Sequence, residues 1–428
     1  MIIYVIMGVT QALILSSIAY IGFKSWVSGA RVVPFILSPG AILTASVFVG
    51  SLAAYTLNDV SLQQYAGMWF LQALGMILGL YFASMLTSKD QRPMRLIVDE
   101  KLVETLSAGL MGVSVLSALL FFAKQGVPIL MNDIEQGRVD AAAGGTGYAR
   151  LLAYMSVPAA VMMFAVAARG RWLFISLALL IVVALANRSP IVYLAVPLVF
   201  GYVIAINRRV KSMRIVAMSV AFASIIIGIG TYRIVSQAEF VKYSEYRSDL
   251  VEGNIVGVAA TSFNHYARVV ADNAVLAKYL VDSGRLEHKF GASYFTLFAT
   301  ALPGEQLSLD REIKLVSGKR FIGGGTPPTL MGEGYINFGL LGVLASAGAA
   351  AFLLQFWHSV VFRSFRYSSK LAFCFAATIY GFFCCWVIMS QVAGFAGASS
   401  FPMAMAVVIA IFWKLVTKRQ YLGVSSGT

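Results

Sequence analysis

Four groups of residues in this chain have the chemistry to bind or transfer a charged group. The first is Glu333, five residues after Pro327-Pro328 and preceded by Lys319-Arg320-Phe321-Ile322-Gly323-Gly324-Gly325-Thr326. It is the sole acid of the apolar run that follows, and a carboxylate at that depth is a functional candidate unless it merely caps free helix N–H groups. Tyr335 and Asn337 follow it, with Asn337 one turn further on the same face. The second group is Arg138 and Arg150, which flank Gly144-Gly145-Thr146-Gly147. Gly-rich backbone can approach a phosphate, and arginines can grip its oxygens two at a time. The bland reading of Arg150 is snorkelling at a helix start. The third is Arg188, in Asn187-Arg188-Ser189-Pro190. The 36 residues between Arg171 and Arg208 must make two crossings and a turn. Each crossing is then about 27 Å, a little short of a ~30 Å bilayer core, which puts Arg188 at or just under the interface. The fourth is His265, Arg268 and Asp272, spaced i, i+3 and i+7 on one helix face, where a histidine beside an arginine and a carboxylate suits proton transfer near an anion. A solvated amphipathic face would read the same way. His288, in Arg285-Leu286-Glu287-His288-Lys289, reads as an exposed charged turn.

The elements that position these residues are membrane helices. The chain is 59% hydrophobic and 12% charged, with a mean hydropathy of +0.79, against about 25% charged residues in a soluble domain. Eleven spans can be drawn, at roughly 2–23, 32–56, 64–86, 102–123, 149–168, 173–187, 190–206, 213–232, 329–357, 371–392 and 400–416. The expected fold is an all-α polytopic membrane protein of 11–12 transmembrane helices with one long, largely helical outer loop. The expected division is an N-terminal bundle over 1–232, the loop over 233–328 and C-terminal helices over 329–428. The first apolar run reads as a retained span rather than a leader. Cys374, Cys384 and Cys385 fall in one span and suggest neither a disulfide framework nor a zinc site.

The net charge of +14 reports topology and not a nucleic-acid partner. Eighteen Lys/Arg and four acids fall on one set of short loops, and fifteen of each on the other. The positive-inside rule makes the first set cytoplasmic. The N-terminus is then outside, the C-terminus inside, and the excursion 233–328 is extracytoplasmic. That segment carries 11 of the 33 Lys/Arg and 10 of the 19 Asp/Glu. No internal repeat of the transporter kind is visible.

In order, Gly126-Val127-Pro128 with Arg138 and Gly144-Gly145-Thr146-Gly147, then Asn187-Arg188-Ser189-Pro190, then Gly291-Ala292-Ser293-Tyr294 and Leu302-Pro303, then Thr326-Pro327-Pro328 to Glu333 and Gly339, resemble the Wzy-type oligosaccharide repeat-unit polymerases, relatives of O-antigen ligases. The resemblance covers about 126–342. It implies a glycosyltransferase at the periplasmic face of a bacterial inner membrane. A growing glycan on undecaprenyl pyrophosphate would pass to a new lipid-linked repeat unit, releasing the lipid pyrophosphate. It implies no cofactor and no metal, with a chain-length co-polymerase and a flippase as partners. Arg138, Arg188, Arg268 and Arg320, supported by Arg150, Asp272, Tyr335 and Asn337, would hold the pyrophosphate and substrate. His265 or Glu333 would take the acceptor proton, His265 being preferred for its reach to the wet side. An O-antigen ligase shares donor and site type. A flippase would want ionisable groups at mid-membrane, where these spans have almost none.

Overall fold

The computed structural model describes residues 59–88, 94–131, 145–187, 189–206, 255–299, 308–319, 325–363, 369–395 and 400–421, with isolated positions besides. The expected spans at 2–23, 32–56 and 213–232, and the sites Arg138, Arg188 and Arg320, lie outside these residues. The described chain is mostly helical. In order it forms α1 (Asp59–Ser88), β1 (Met94–Val98), α2 (Glu100–Gln125), α3 (Gly147–Ala153), α4 (Ser156–Ala165), α5 (Arg171–Ala184), α6 (Ser189–Ile206), α7 (Ile255–Asp282), α8 (Ala292–Ala299), α9 (Leu309–Val316), α10 (Thr329–Arg363), α11 (Lys370–Ala393), α12 (Ser400–Val416) and β2 (Thr417–Tyr421). Among the described residues, five stretches are long and apolar enough to cross a membrane: Tyr65–Thr87, Glu100–Leu130, Gly147–Ala165, Thr329–Ser359 and Leu371–Ala393. Arg171–Ala184, Ser189–Gly201 and Ala404–Val416 are shorter apolar helices. Tyr81, Phe82 and Leu86 of α1 and Leu116, Leu119 and Leu120 of α2 are exposed. Apolar stripes of that size suit a lipid solvent and would be a liability in water.

The chain divides into two compact units, residues 1–88, 260–358 and 386–400 in one and 89–259, 359–385 and 401–428 in the other. In the second unit α4 is buried almost throughout. There α6 runs antiparallel to the first part of α11: Gly201 meets Thr378, and a methyl on Gly381 would lie 2.8 Å from Pro197 Cα. Phe401, at the start of α12, takes the rings of Tyr154 and Tyr193 at 5.1 and 5.5 Å. The all-α expectation needs one addition here. β1 and β2 pair antiparallel, Arg95 opposite Gln420, Leu96 opposite Arg419 and Ile97 opposite Lys418. The Asp99 N–H extends the ladder to the Val416 carbonyl at 2.9 Å, and the Asp99 carboxylate caps α2 by accepting from the Leu102 N–H. Two basic segments more than 300 residues apart therefore share one end of this unit.

In the first unit α1 and α10 run parallel, with Gly75 against Leu344 and Gly79 against Gly348. Small residues allow this close backbone approach. The side chains of Gln72 and Gln391, both buried, hydrogen-bond each other. Buried amides without water need such a partner.

The expected span 329–357 starts as drawn, with Glu333 about one turn in, but it is not one straight helix. The helix is broken at Phe338 (φ −141°, ψ 23°) and Gly339 (φ +62°, ψ −146°). The chain doubles back there. A methyl on Gly334 would lie 2.5 Å from the Gly342 carbonyl oxygen, and Ser346 Oγ reaches the Leu330 carbonyl at 3.4 Å. Residues 329–337 thus form a short limb packed antiparallel on the start of the crossing limb. From residue 340 to Ser359, some 20 residues at ~1.5 Å each give about 30 Å, one bilayer core. Glu333 sits beside this crossing limb rather than on it. Pro327-Pro328 at the foot of the limb contribute no N–H that would need a partner.

Candidate functional site

The limb 329–337 is the point on which the first unit converges. Its base is held by Thr329, whose Oγ1 accepts the Gly332 N–H at 3.1 Å, and by Thr326, whose N–H donates to the Asp310 carbonyl at 2.8 Å. Thr329 is buried at φ +67°. A β-branched residue in the left-handed region is strained, a condition that persists only where the surroundings enforce it. One side of the limb lies on α7, where a methyl on Gly332 would be 2.8 Å from Ala277 Cβ. Ala277, Leu280, Leu286, Leu309, Ile313 and Ile336 form the apolar cluster beneath.

The limb's last carbonyls have no partner within their own helix. Three groups of the α7–α8 loop satisfy them. The Lys289 and Phe290 N–H groups donate to the Ile336 and Asn337 carbonyls at 3.0 and 3.1 Å, and His288 Nδ1 lies 3.1 Å from the Ile336 carbonyl. A carbonyl only accepts, so Nδ1 is the donor in this contact.

Inside this frame lies a buried polar cluster. Glu333, Asn337 and Ser293 are 0%, 0% and 2% exposed. Ser293 donates to Glu333 Oε1 at 3.0 Å. Asn337 Nδ2 donates to Ser293 Oγ at 2.6 Å and to the Glu333 carbonyl at 2.9 Å, and Asn337 Oδ1 accepts the Gly291 N–H at 2.9 Å. Oε2 of Glu333 faces Gly394 (φ +79°), where any side chain would strike the carboxylate. Burial raises the Tyr294 phenol above its ordinary value, the Glu333 charge adds to this, and a hydrogen bond from Asn337 opposes it. Tyr294 also meets Phe395 edge-on, the ring centroids 6.3 Å apart.

A second, more open network adjoins the first. Tyr335 Oη donates to Asp282 Oδ1 at 2.5 Å, and Lys278 pairs with Asp282 Oδ2. The Lys278 ammonium also lies 3.4 Å from Tyr335 Oη and 5.0 Å from its ring centroid. Desolvation works against the Asp282 charge, yet its bonds to Lys278 and Tyr335 outweigh this and hold the carboxyl below its ordinary value. Lys278 is likewise penalised by desolvation but raised on balance by the same partners. Lys289 pairs with Glu312 at 2.6 Å, tying the loop to α9.

Of the residues singled out from sequence, the structure joins Glu333 and Asn337 in one cluster and places Tyr335, on the same limb, in the second network. His265, Arg268 and Asp272 are on α7 as one continuous helix. His265 precedes Ala274, a neighbour of Gly332, by nine residues, about 14 Å along the axis. Asp272 interacts with Lys319, whose ammonium is lowered by desolvation and partly restored by that carboxylate. Arg150 is half-buried on α3 in the other unit. Asn187 accepts the Ser189 N–H at 3.3 Å and donates to Tyr154 Oη at 3.1 Å. Ser293, Asp282, Lys278, His288 and Gly394 were not singled out. Ser293 lies in the quoted Gly291-Ala292-Ser293-Tyr294 motif, and the i, i+4 spacing of Lys278 and Asp282 was a visible signal. Nothing in the sequence links Gly394 to Glu333. Among the described residues no three His, Cys, Asp or Glu side chains gather to hold a metal ion. Comparison of the chain with family models, curated proteins and solved structures returns no match.

Proposed function

We propose that this chain is a membrane glycosyltransferase of the repeat-unit polymerase type, with about 11 spans, its N-terminus and active face periplasmic and its C-terminus cytoplasmic. The observation that carries the reading is the buried Glu333 carboxylate, held by Ser293 and Asn337 on a limb folded back beside a membrane-crossing helix. A carboxylate enclosed at that depth is expensive and is kept where it acts. The motif order quoted above supplies the reaction class.

In that reaction the acceptor hydroxyl of a lipid-linked repeat unit attacks the anomeric carbon of the donor glycan. A new glycosidic C–O bond forms, the C–O bond to pyrophosphate breaks, and the hydroxyl proton passes to a base. Glu333 is the better-built base of the two candidates, since Ser293 holds its carboxylate in direction and Oε2 faces Gly394. The Ala393–Phe395 turn is then the part that must yield for a hydroxyl to approach. His265 is the second candidate. The leaving pyrophosphate needs preorganised positive charge, usually the largest single contribution, and Arg138, Arg188, Arg268 and Arg320 are assigned to it, with Arg150 and Asp272 in support.

The test is the purified protein in nanodiscs with lipid-linked repeat units, with and without chelator. A ladder of lengthened products in both supports the reading. New product only when lipid A-core is added would make the protein an O-antigen ligase. Movement of substrate across the bilayer without a new bond would make it a flippase.

A further inference from the structure

The outer end of the re-entrant limb carries a surface that no step above uses. Phe290 is 76% exposed and Phe338, at the reversal, is 49% exposed. The two are neighbours across Gly291, where a methyl would lie 3.2 Å from the Phe338 ring. Phe290 has φ +46°. A bulky side chain in the left-handed region is costly, and here it holds an aromatic ring in the open rather than in a core. Lipid is a poor explanation for that ring, because Arg285, Glu287 and His288 directly before it are themselves exposed. His288 sits 6.0 Å from Phe290 and 6.3 Å from Tyr335, ring centroid to ring centroid. Behind these rings stand Asp282, Tyr335 and Lys278, already linked to one another.

We propose that Phe290, Phe338 and His288, together with the Lys278–Asp282–Tyr335 network, form a saccharide subsite that receives a sugar ring of the repeat unit. A pyranose has an apolar C–H face and a girdle of hydroxyls. The exposed rings match the face. The Asp282 carboxylate, 43% exposed, and the Lys278 ammonium, 20% exposed, are fixed in direction by their pairing and match an acceptor and a donor on the girdle. The proposal rests on the polymerase reading for the source of the sugar, and it names the part of the chain that would select it. The strained Phe290 backbone is the means by which the loop that closes the limb's carbonyls also presents a ring to the ligand.

The probe is the lipid-free repeat-unit oligosaccharide, released by mild acid from the lipid-linked precursors of cells lacking this protein. Binding is measured by calorimetry to the full chain in nanodiscs. Phe290→Ala removes an exposed ring without opening a cavity, and Asp282→Asn keeps the shape of its site. Each is expected to weaken oligosaccharide binding about tenfold while leaving the melting temperature within a degree or two. In the polymerisation assay each should raise KM for the acceptor with kcat little changed. Undiminished binding by both variants overturns the subsite. So does an equal loss of affinity for undecaprenyl phosphate, which carries no sugar and would mark the rings as a lipid contact. Binding that depends on Phe290 in a protein that makes no ladder would keep the subsite and sink the polymerase. A ladder from wild type with no loss in either variant would do the reverse.

Discussion

Ser293 and Glu333, forty residues apart and both buried, share a 3.0 Å hydrogen bond from hydroxyl to carboxylate. The bond joins the start of α8 to the re-entrant limb. It makes Glu333 a part of a built network rather than a stray acid in an apolar segment.

Glu333→Gln and Glu333→Ala are expected to separate chemistry from structure. Glutamine still offers an oxygen to Ser293, so stability should fall little while transfer is lost. Alanine removes the buried hydrogen bond between Ser293 and the carboxylate, a penalty of about 1–3 kcal/mol. Melting temperatures in detergent, read beside the product ladder, check both. Equal destabilisation by the two would show that the carboxylate's charge, and not its hydrogen bond, holds the limb.

The reversal at Phe338–Gly339 is expected to depend on two close approaches. Gly342→Ala would push a methyl into the Gly334 carbonyl and should open the hairpin. Gly394→Ala combines a left-handed backbone, worth about 1–2 kcal/mol for a residue with a side chain, with a clash against Glu333. Both should lower the melting temperature by several degrees, and Gly394→Ala should also suppress activity. Wild-type behaviour from Gly394→Ala would mean that the turn does not bear on the carboxylate.

How much of this was legible in sequence follows from the range of the interactions involved. Hydropathy carried the apolar helices, and the lone acid after Pro327-Pro328 identified Glu333. The doubling-back of α10 was hidden because no turn-forming run separates residues 329–337 from the apolar stretch that follows, and glycine is common in continuous membrane helices. His288 read as an exposed turn and is exposed, but its contact with the Ile336 carbonyl, 48 residues away, has no local signature. The bond of Ser293 to Glu333 and the approach of Gly394 were hidden for the same reason. The register of Leu96 with Arg419 is a pairing that no local pattern encodes.

The β1–β2 ribbon predicts that both of its strands face one side of the membrane. Arg95→Cys and Lys418→Cys, each exposed, should react with a membrane-impermeant maleimide from the same side, and from the cytoplasmic side if the charge argument holds. The native cysteines Cys374, Cys384 and Cys385 are buried, so background labelling should be low. Reaction from opposite sides would break the topology.

The Lys278–Asp282 pair predicts a shallow pH dependence. The Asp282 carboxyl is depressed below its ordinary 3.8, so its contribution is present above that value and is lost as pH falls through the lower folded value. Lys278 is raised above its ordinary 10.5, so its contribution is present below that value and is lost as pH rises through the raised one. The stability difference between wild type and Asp282→Asn should shrink at the acid end. The pair is partly exposed, so the difference should be no more than about 1 kcal/mol. A difference that grows as the pH falls would contradict the assignment.

The central claim, that Glu333 serves glycan transfer at the outer face, is tested most directly in one reconstitution. Wild type and Glu333→Gln, both folded in nanodiscs, receive the same undecaprenyl-pyrophosphate-linked repeat units, and the products are separated by length. The account predicts a ladder from wild type and unextended repeat units from Glu333→Gln. A ladder of equal length from Glu333→Gln, or none from wild type, would contradict it.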